Sequence, residues 1–337
     1  MSKKFLIIYH FEDNDGVCSG AMFNWYLRNK LHVEMSEIDM LPSNYASLEK
    51  LANEHFETNM TFNGLFSGYD NIVMTDISFN NGKVMKAIYE DFGPNFIWCD
   101  HHKPIIELSY KEGFDDVRGL RDTGCSAIMC AWRFLFDPFD FEYQNGDAPL
   151  TLRFLSSWDS WSWTKEGVNE LWIRSFNIGV TTRSKLCTDY YYQFFDTWML
   201  KTDLDSRQQH ELYIAEVTDV GYIIVDKEVN DNKKLIETCG DGEWTLDNGR
   251  KAMMLVMHGS SGSMTFESVK DEYDNGIVFK HLKDGKWTMS LYNMKSEDTF
   301  DCGAYLKEKY NGGGHKGAAG CTITQEKFFE LLKLTKI

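Results

Sequence analysis

Phe5-Leu6-Ile7-Ile8-Tyr9, Asn71-Ile72-Val73-Met74-Thr75 and Phe96-Ile97-Trp98-Cys99 are unbroken, mostly apolar runs of strand length, the pattern of strands covered on both faces. Each stops at a polar group: His10, Asp76 and Asp100. Helical spacing follows the first over 19–30, with Ala21, Met22, Trp25, Tyr26 and Leu27, and the second over 83–91; Gly16 and Gly20 fall in or near the first turn. Strand, loop and helix in this order predict right-handed crossovers, a parallel sheet, and a crevice at the carboxyl ends of its strands.

A helix is predicted over 125–136, closed by Asp137-Pro138, and 149–155 leads into Trp158-Asp159-Ser160-Trp161. Helical spacing returns over 190–217. Beyond it the character changes to short β-like runs, Tyr222-Ile223-Ile224-Val225, 252–257, 276–279 and 287–292. Asp241-Gly242, Asp247-Asn248-Gly249 and Lys283-Asp284-Gly285-Lys286 punctuate them as turns. The chain is therefore expected to be α/β, with a parallel-sheet domain over 1–190, a helical linker over 191–220 and a smaller α/β domain over 221–337.

Length agrees, since 337 residues exceed what one core usually serves. A net charge of −16 argues against a protein that coats long nucleic acid and leaves short anionic substrates open. Eight cysteines without a CxxC pair read as reduced thiols of a cytoplasmic protein. The N-terminal apolar run is too short for a signal peptide, and no stretch has the apolar length of a membrane span.

The strand ends carry the chemistry. His10, Asp13 and Asp15, then Asp76, then Asp100-His101-His102, with Asp159 between two tryptophans, supply carboxylates and imidazoles of the kind that hold two divalent cations and activate water against a phosphoester. Asp76, on a central strand, suits a carboxylate bridging two ions. Each patch has a second reading: Asp13 and Asp76 as helix caps, Asp159 as a buried structural acid, and Asp100-His101-His102 as a polar loop. Adjacent imidazoles point in different directions, so one can ligate metal while the other faces a phosphate. Asn311-Gly312-Gly313-Gly314-His315-Lys316 exposes backbone amides to an anion, or is only a turn. His32, His55, His210, His258 and His281 lack such neighbours and read as surface or packing residues.

Asp13-Asn14-Asp15-Gly16, Asp76, Asp100-His101-His102, Asp159 and Gly312-Gly313-Gly314-His315, in this order over nearly the whole chain, resemble the DHH phosphoesterase superfamily, in the branch with a DHH-associated C-terminal domain that includes RecJ-type exonucleases and nanoRNases. The resemblance implies an N-terminal DHH domain and a second domain with the active-site cleft between them. It also implies two manganese ions, with magnesium or another divalent ion as substitutes. His10, Asp13 and Asp76 would hold one, and Asp15, Asp76, His101 and Asp159 the other. His102 would contact the phosphate or assist the leaving group, with Asp100 orienting the histidines. Gly313, Gly314, His315 and Lys316 would grip substrate. His10 stands at a spacing that several members lack. Where many members carry an arginine after Ser-Leu, Ser290-Leu291 is followed by Tyr292-Asn293, with Tyr292 a stacking substitute.

The expected activity is manganese-dependent hydrolysis of short single-stranded oligonucleotides or dinucleotides to nucleoside monophosphates. The alternatives are a phosphomonoesterase of a small nucleotide such as 3′-phosphoadenosine phosphate, and a non-catalytic nucleotide-binding regulator. A homodimer is the default assembly, with no membrane partner.

Overall fold

The computed structural model describes residues 3–57, 66–136, 148–196, 204–239, 242–257, 262–295, 300–314 and 316–333. The chain divides into two compact units, Met1–Ile224 and Val225–Ile337.

In the first unit a four-stranded parallel sheet has the order β2-β1-β3-β4, with β1 Phe5–His10, β2 Ile38–Ser43, β3 Asn71–Thr75 and β4 Phe96–Cys99. Alternate β1 side chains enter different cores. Phe5, Ile7 and Tyr9 pack on α1 (Asn14–Asn29) and α5 (Ala127–Phe136). Leu6 and Ile8 pack on the side of α2 (Tyr45–Glu57), α3 (Gly82–Phe92) and α4 (Lys103–Glu112). Burial on both faces explains the unbroken apolar runs. The strand β2 lacks that signature because it is an edge, half-exposed and carrying Asp39 and Pro42.

Two expectations are corrected. Gly16 and Gly20 lie inside α1, which begins at Asn14. They are small because the helix packs onto β1: a Cβ on Gly16 would collide with the His10 backbone, and one on Gly20 would come within 2.8 Å of the Tyr9 ring. Tyr222-Ile223-Ile224-Val225 is not a strand. It lies within a 36-residue helix, preceded in the chain by α6 (Leu150–Asp159), α7 (Glu170–Ser184) and α8 (Thr188–Phe194), and labelled α9 (Leu204–Cys239). Ile214, Val217 and Val225 are buried while Ile223 is 74% exposed, a helical period that a four-residue apolar run cannot reveal. A Cβ on Gly221 of α9 would strike the Ser175 carbonyl of α7, and one on Gly179 the Val217 carbonyl, so these two helices pack backbone to backbone.

The second unit is a six-stranded sheet of order β5-β6-β7-β8-β10-β9, antiparallel except where β6 (Lys251–Val256) meets β7 (Asn275–His281). The other strands are β5 Gly242–Thr245, β8 Trp287–Asn293, β9 Gly313–Gly314 and β10 Ala318–Ile323. Helices α10 (Cys302–Tyr310) and α11 (Gln325–Leu332) join its main core; Phe266, Tyr292 and Ile236 form another. Cys18, Cys99, Cys125, Cys130, Cys187, Cys302 and Cys321 are free thiols. No described helix is long and apolar enough to cross a membrane.

Candidate functional site

The end of β1 delivers His10, and the following turn starts α1 with Asp13 as its cap, the Gly16 amide donating to Asp13 Oδ1 at 3.0 Å. Capping and site position are thus one arrangement, not rival readings. Asp15, buried in the first turn, accepts hydrogen bonds from the Ala127 and Ile128 amides, each at 2.8 Å. These are the first amides of α5, whose helix dipole favours a carboxylate there.

Asp76 follows β3 with φ +57°, the left-handed region that Asp tolerates better than most residues. Its amide donates to the Cys99 carbonyl at 3.0 Å, tying it to the end of β4. Its oxygens face two ways. Oδ2 lies 3.4 Å from His10 Nδ1, itself 3.1 Å from Asp13 Oδ2. Oδ1 lies 3.3 Å from His101 Nε2, which is also 3.3 Å from Asp159 Oδ2 and 3.7 Å from Asp15 Oδ2. The structure thus gathers His10, Asp13 and Asp76 into one group and Asp15, His101 and Asp159 into another, with Asp76 adjoining both. A third group joins Asp76, His101 and His102.

The donor set fits divalent metal. His10 Nδ1 and Nε2, Asp76 Oδ1 and Asp159 Oδ2 are buried and, among the described residues, have charged neighbours at 3.1–3.5 Å but no well-formed hydrogen bond, a costly condition unless something else satisfies them. The nitrogen–oxygen spacings are close to the roughly 3.0 Å edge of an octahedron whose metal–ligand bonds are about 2.1 Å.

Electrostatics agree. Burial, reinforced by neighbouring carboxylates, raises the pKa of Asp15, Asp76 and Asp159. Burial opposes charge on His10, yet Asp13 and Asp76 outweigh it and push that imidazole up to about 10. Asp13 is held low, its own burial outweighed by His10 and the Gly16 amide.

Asp100 is fully buried and lies 2.7 Å from His102 Nδ1. It also accepts from the amides of His101 and His102 at 2.7 and 3.1 Å, and from Trp98 Nε1 at 2.9 Å. These bonds orient both histidines. Asp100 is held below its ordinary value despite burial because His102 compensates its charge.

Three neighbours carry roles that the sequence did not assign. Tyr45 stands 5.8 Å from the His102 ring and 5.9 Å from His10, its hydroxyl pushed well up by burial and by the site's carboxylates. It follows β2, the strand with no apolar signature. Glu12 Oε2 is 3.5 Å from His10 Nε2. Asn14 accepts from Tyr191 Oη at 2.6 Å and donates to Asn177 Oδ1 and Thr181 Oγ1 at 2.9 and 2.7 Å, locking the start of α1 to α7 and α8. Distant partners leave no local pattern.

Asp159 ends α6, and the turn after it is a Schellman motif, with Trp161 N–H donating to Trp158 O at 3.3 Å and Ser162 N–H to Ser157 O at 2.8 Å. The position that ordinarily takes glycine is Trp161, at φ +54°, a backbone cost of roughly 1–2 kcal/mol. The residue is 63% exposed.

In the second unit Gly313 and Gly314 pair with Gly320 and Ala319. Gly314 has φ +144°, and a Cβ there would meet Ala319 Cα at 2.6 Å. Both glycines line a shallow, open depression with Ser290, Tyr292, Ala318, Ala319 and Gly320. The Tyr292 ring packs 6.2 Å from Phe266 and is only 9% exposed. Lys316 is exposed, and His315 lies outside the described residues.

No family model matches the sequence, and no curated protein matches it. Solved structures do. Over 98% of this chain, the fold matches 85% of a chain described as the DHH domain of a member of a family of ribosomal proteins, at 13% identity and a TM-score of 0.55. A pGpG-specific phosphodiesterase from Vibrio cholerae matches at 13% identity and a TM-score of 0.47, over 98% of this chain and 97% of that one. An exopolyphosphatase-related protein from Bacteroides fragilis matches at 13% identity and 0.46, over 98% and 92%.

Proposed function

We propose, from the premise that this chain has the fold of the DHH-domain proteins, that it is a metal-dependent phosphoesterase that hydrolyses short single-stranded oligonucleotides or dinucleotides to nucleoside monophosphates. The observation that carries the reading is Asp76, one oxygen facing His10 and the other His101, as a carboxylate shared by two cations must. His10, Asp13 and Asp76 would hold one ion, and Asp15, Asp76, His101 and Asp159 the other. Manganese is favoured because imidazole and carboxylate together suit it better than they suit magnesium. Bound there, the ions supply Lewis acidity, lowering the pKa of water and offsetting phosphate charge.

The chain's own residues do the rest. Asp100 engages Nδ1 of His102, so His102 handles its proton at Nε2, as hydrogen-bond donor to the phosphate or acid for the leaving oxygen. Asp15 keeps its position through the two α5 amides, and the His101 amide, donating to Asp100, holds His101. Gly313, Gly314 and Lys316 serve as substrate contacts in this reading. The net charge of −16 favours short substrates, because a long polymer would require many cationic contacts.

The test is a manganese-dependent digestion of short RNA and DNA oligomers, linear and cyclic dinucleotides and 3′-phosphoadenosine 5′-phosphate, resolved by chromatography. Mononucleotides released from the oligomers or dinucleotides support the reading. Inorganic phosphate from the bisphosphate alone replaces it with a phosphomonoesterase, and survival of every substrate by a metal-loaded protein overturns it.

A further inference from the structure

Trp161 is unexplained by the fold. It occupies the left-handed position of a Schellman turn, where glycine fits without strain, and leaves 63% of its surface in solvent. Neither the backbone nor the core gains from a tryptophan there. Its ring lies 5.5 Å from that of Trp163, tilted by 42°, and Trp163 in turn stacks 6.1 Å from Trp158.

Its place in the chain supplies the reason. Trp161 is two residues beyond Asp159, whose Oδ2 belongs to the group with His101 and Asp15. Two residues of chain separate Cα atoms by at most about 7 Å, and the turn shortens that path. The Cα of Trp161 therefore lies within that distance of the Cα of Asp159, near enough for its exposed side chain to meet the base of a nucleotide whose phosphate is held at the Asp159 group. Flat faces of this kind bind nucleobases without regard to their hydrogen-bonding edges.

We propose that Trp161 is a stacking platform for the nucleobase of the nucleotide whose phosphate sits at the Asp15–His101–Asp159 group, and so selects base-bearing esters over base-free ones. The inference rests on the phosphoesterase reading and adds the substrate class of its site. Stacking acts on binding and not on bond cleavage, so Trp161 sets affinity for the substrate and leaves the proton transfers to His102.

The experiment is calorimetric binding of adenosine 5′-monophosphate and of ribose 5-phosphate to the manganese-loaded full chain, in wild type, Trp161→Gly and Trp161→Phe. Glycine is the informative replacement because it suits the turn and keeps the fold. Wild type is expected to prefer the base-bearing ligand by about 5–100-fold, the range of one base–aromatic stack. Trp161→Gly is expected to reduce that preference to near unity with ribose 5-phosphate affinity unchanged, and Trp161→Phe to keep most of it. An undiminished preference in Trp161→Gly, or none in wild type, overturns the proposal while leaving hydrolysis to be judged by the digestion products. Failure of both ligands to bind would remove the phosphate site and this proposal with it.

Discussion

The Asp100 carboxylate lies 2.7 Å from Nδ1 of His102 and, through the Trp98 indole and two backbone amides, makes three further hydrogen bonds. Burial alone would depress the His102 pKa, but Asp100 overrides it and raises it. Asp100→Asn removes the compensating charge and keeps the shape. Turnover is expected to fall about 10–100-fold, as for other residues that orient a catalytic histidine. If His102 acts as the acid, the alkaline limb of kcat against pH must move to lower pH, because the imidazolium loses its stabilising partner. An unmoved limb would remove His102 from that role.

Asp76→Asn separates stability from function. Asp76 is buried among Asp13 and Asp15 without metal to offset their charges, and Asn is well tolerated in the left-handed region. The metal-free variant is expected to melt above wild type, by about 2–4 °C for each kcal/mol of burial cost and repulsion relieved. It should lose both turnover and stabilisation by manganese. Thermal scans with and without manganese check this, and near wild-type activity contradicts the bridging role.

Metal binding should release protons. Without metal, His10 is protonated up to about pH 10, and Asp15, Asp76 and Asp159 are raised above ordinary carboxylates. Ligation needs the neutral imidazole and the ionised carboxylates. Affinity for manganese must therefore rise with pH toward 10. Calorimetry in buffers of different ionisation enthalpy reads the proton count directly, and a count of zero at pH 7 excludes His10 as a ligand.

His210 gives a stability prediction remote from that chemistry. Burial lowers its pKa to about 4, and its Nε2 sits 2.7 Å from Thr151 Oγ1. Unfolded, a histidine titrates near 6.5, so the unfolded chain binds the extra proton first. The neutral ring's contribution is complete above about pH 6.5 and is lost as pH falls toward 4, roughly 2–3 kcal/mol after allowance for partial exposure. Urea midpoints at pH 7.5 and 4.5 should differ less in His210→Gln than in wild type.

The glycine segment offers a matched pair. Gly314→Ala places a methyl against Ala319 at a backbone angle that alanine resists, and should destabilise by more than about 1 kcal/mol. A Cβ on Gly313 meets no described residue within 4 Å, so Gly313→Ala should fold normally. If the segment contacts substrate, Gly313→Ala raises KM with kcat retained; an unchanged KM leaves Gly313 only a β-bridge residue.

By itself the sequence determined three of the four parallel strands and named the side chains at their ends. Strands covered on both faces must be continuous apolar runs, and the polar residue that stops each run sits at the sheet's carboxyl edge. It could not show β2, whose edge position permits Asp39 and Pro42, and so hid Tyr45 behind it. Nor could it place Tyr222-Ile223-Ile224-Val225, where four apolar residues fit either period and packing of α9 against Gly179 settled the helix. Only tertiary structure decided that Asp15 meets the α5 amides, that Asp76 faces His10 and His101 at once, and that Trp161 holds a glycine's position. Those relationships join residues far apart in the chain or depend on a backbone angle, and local pattern encodes neither.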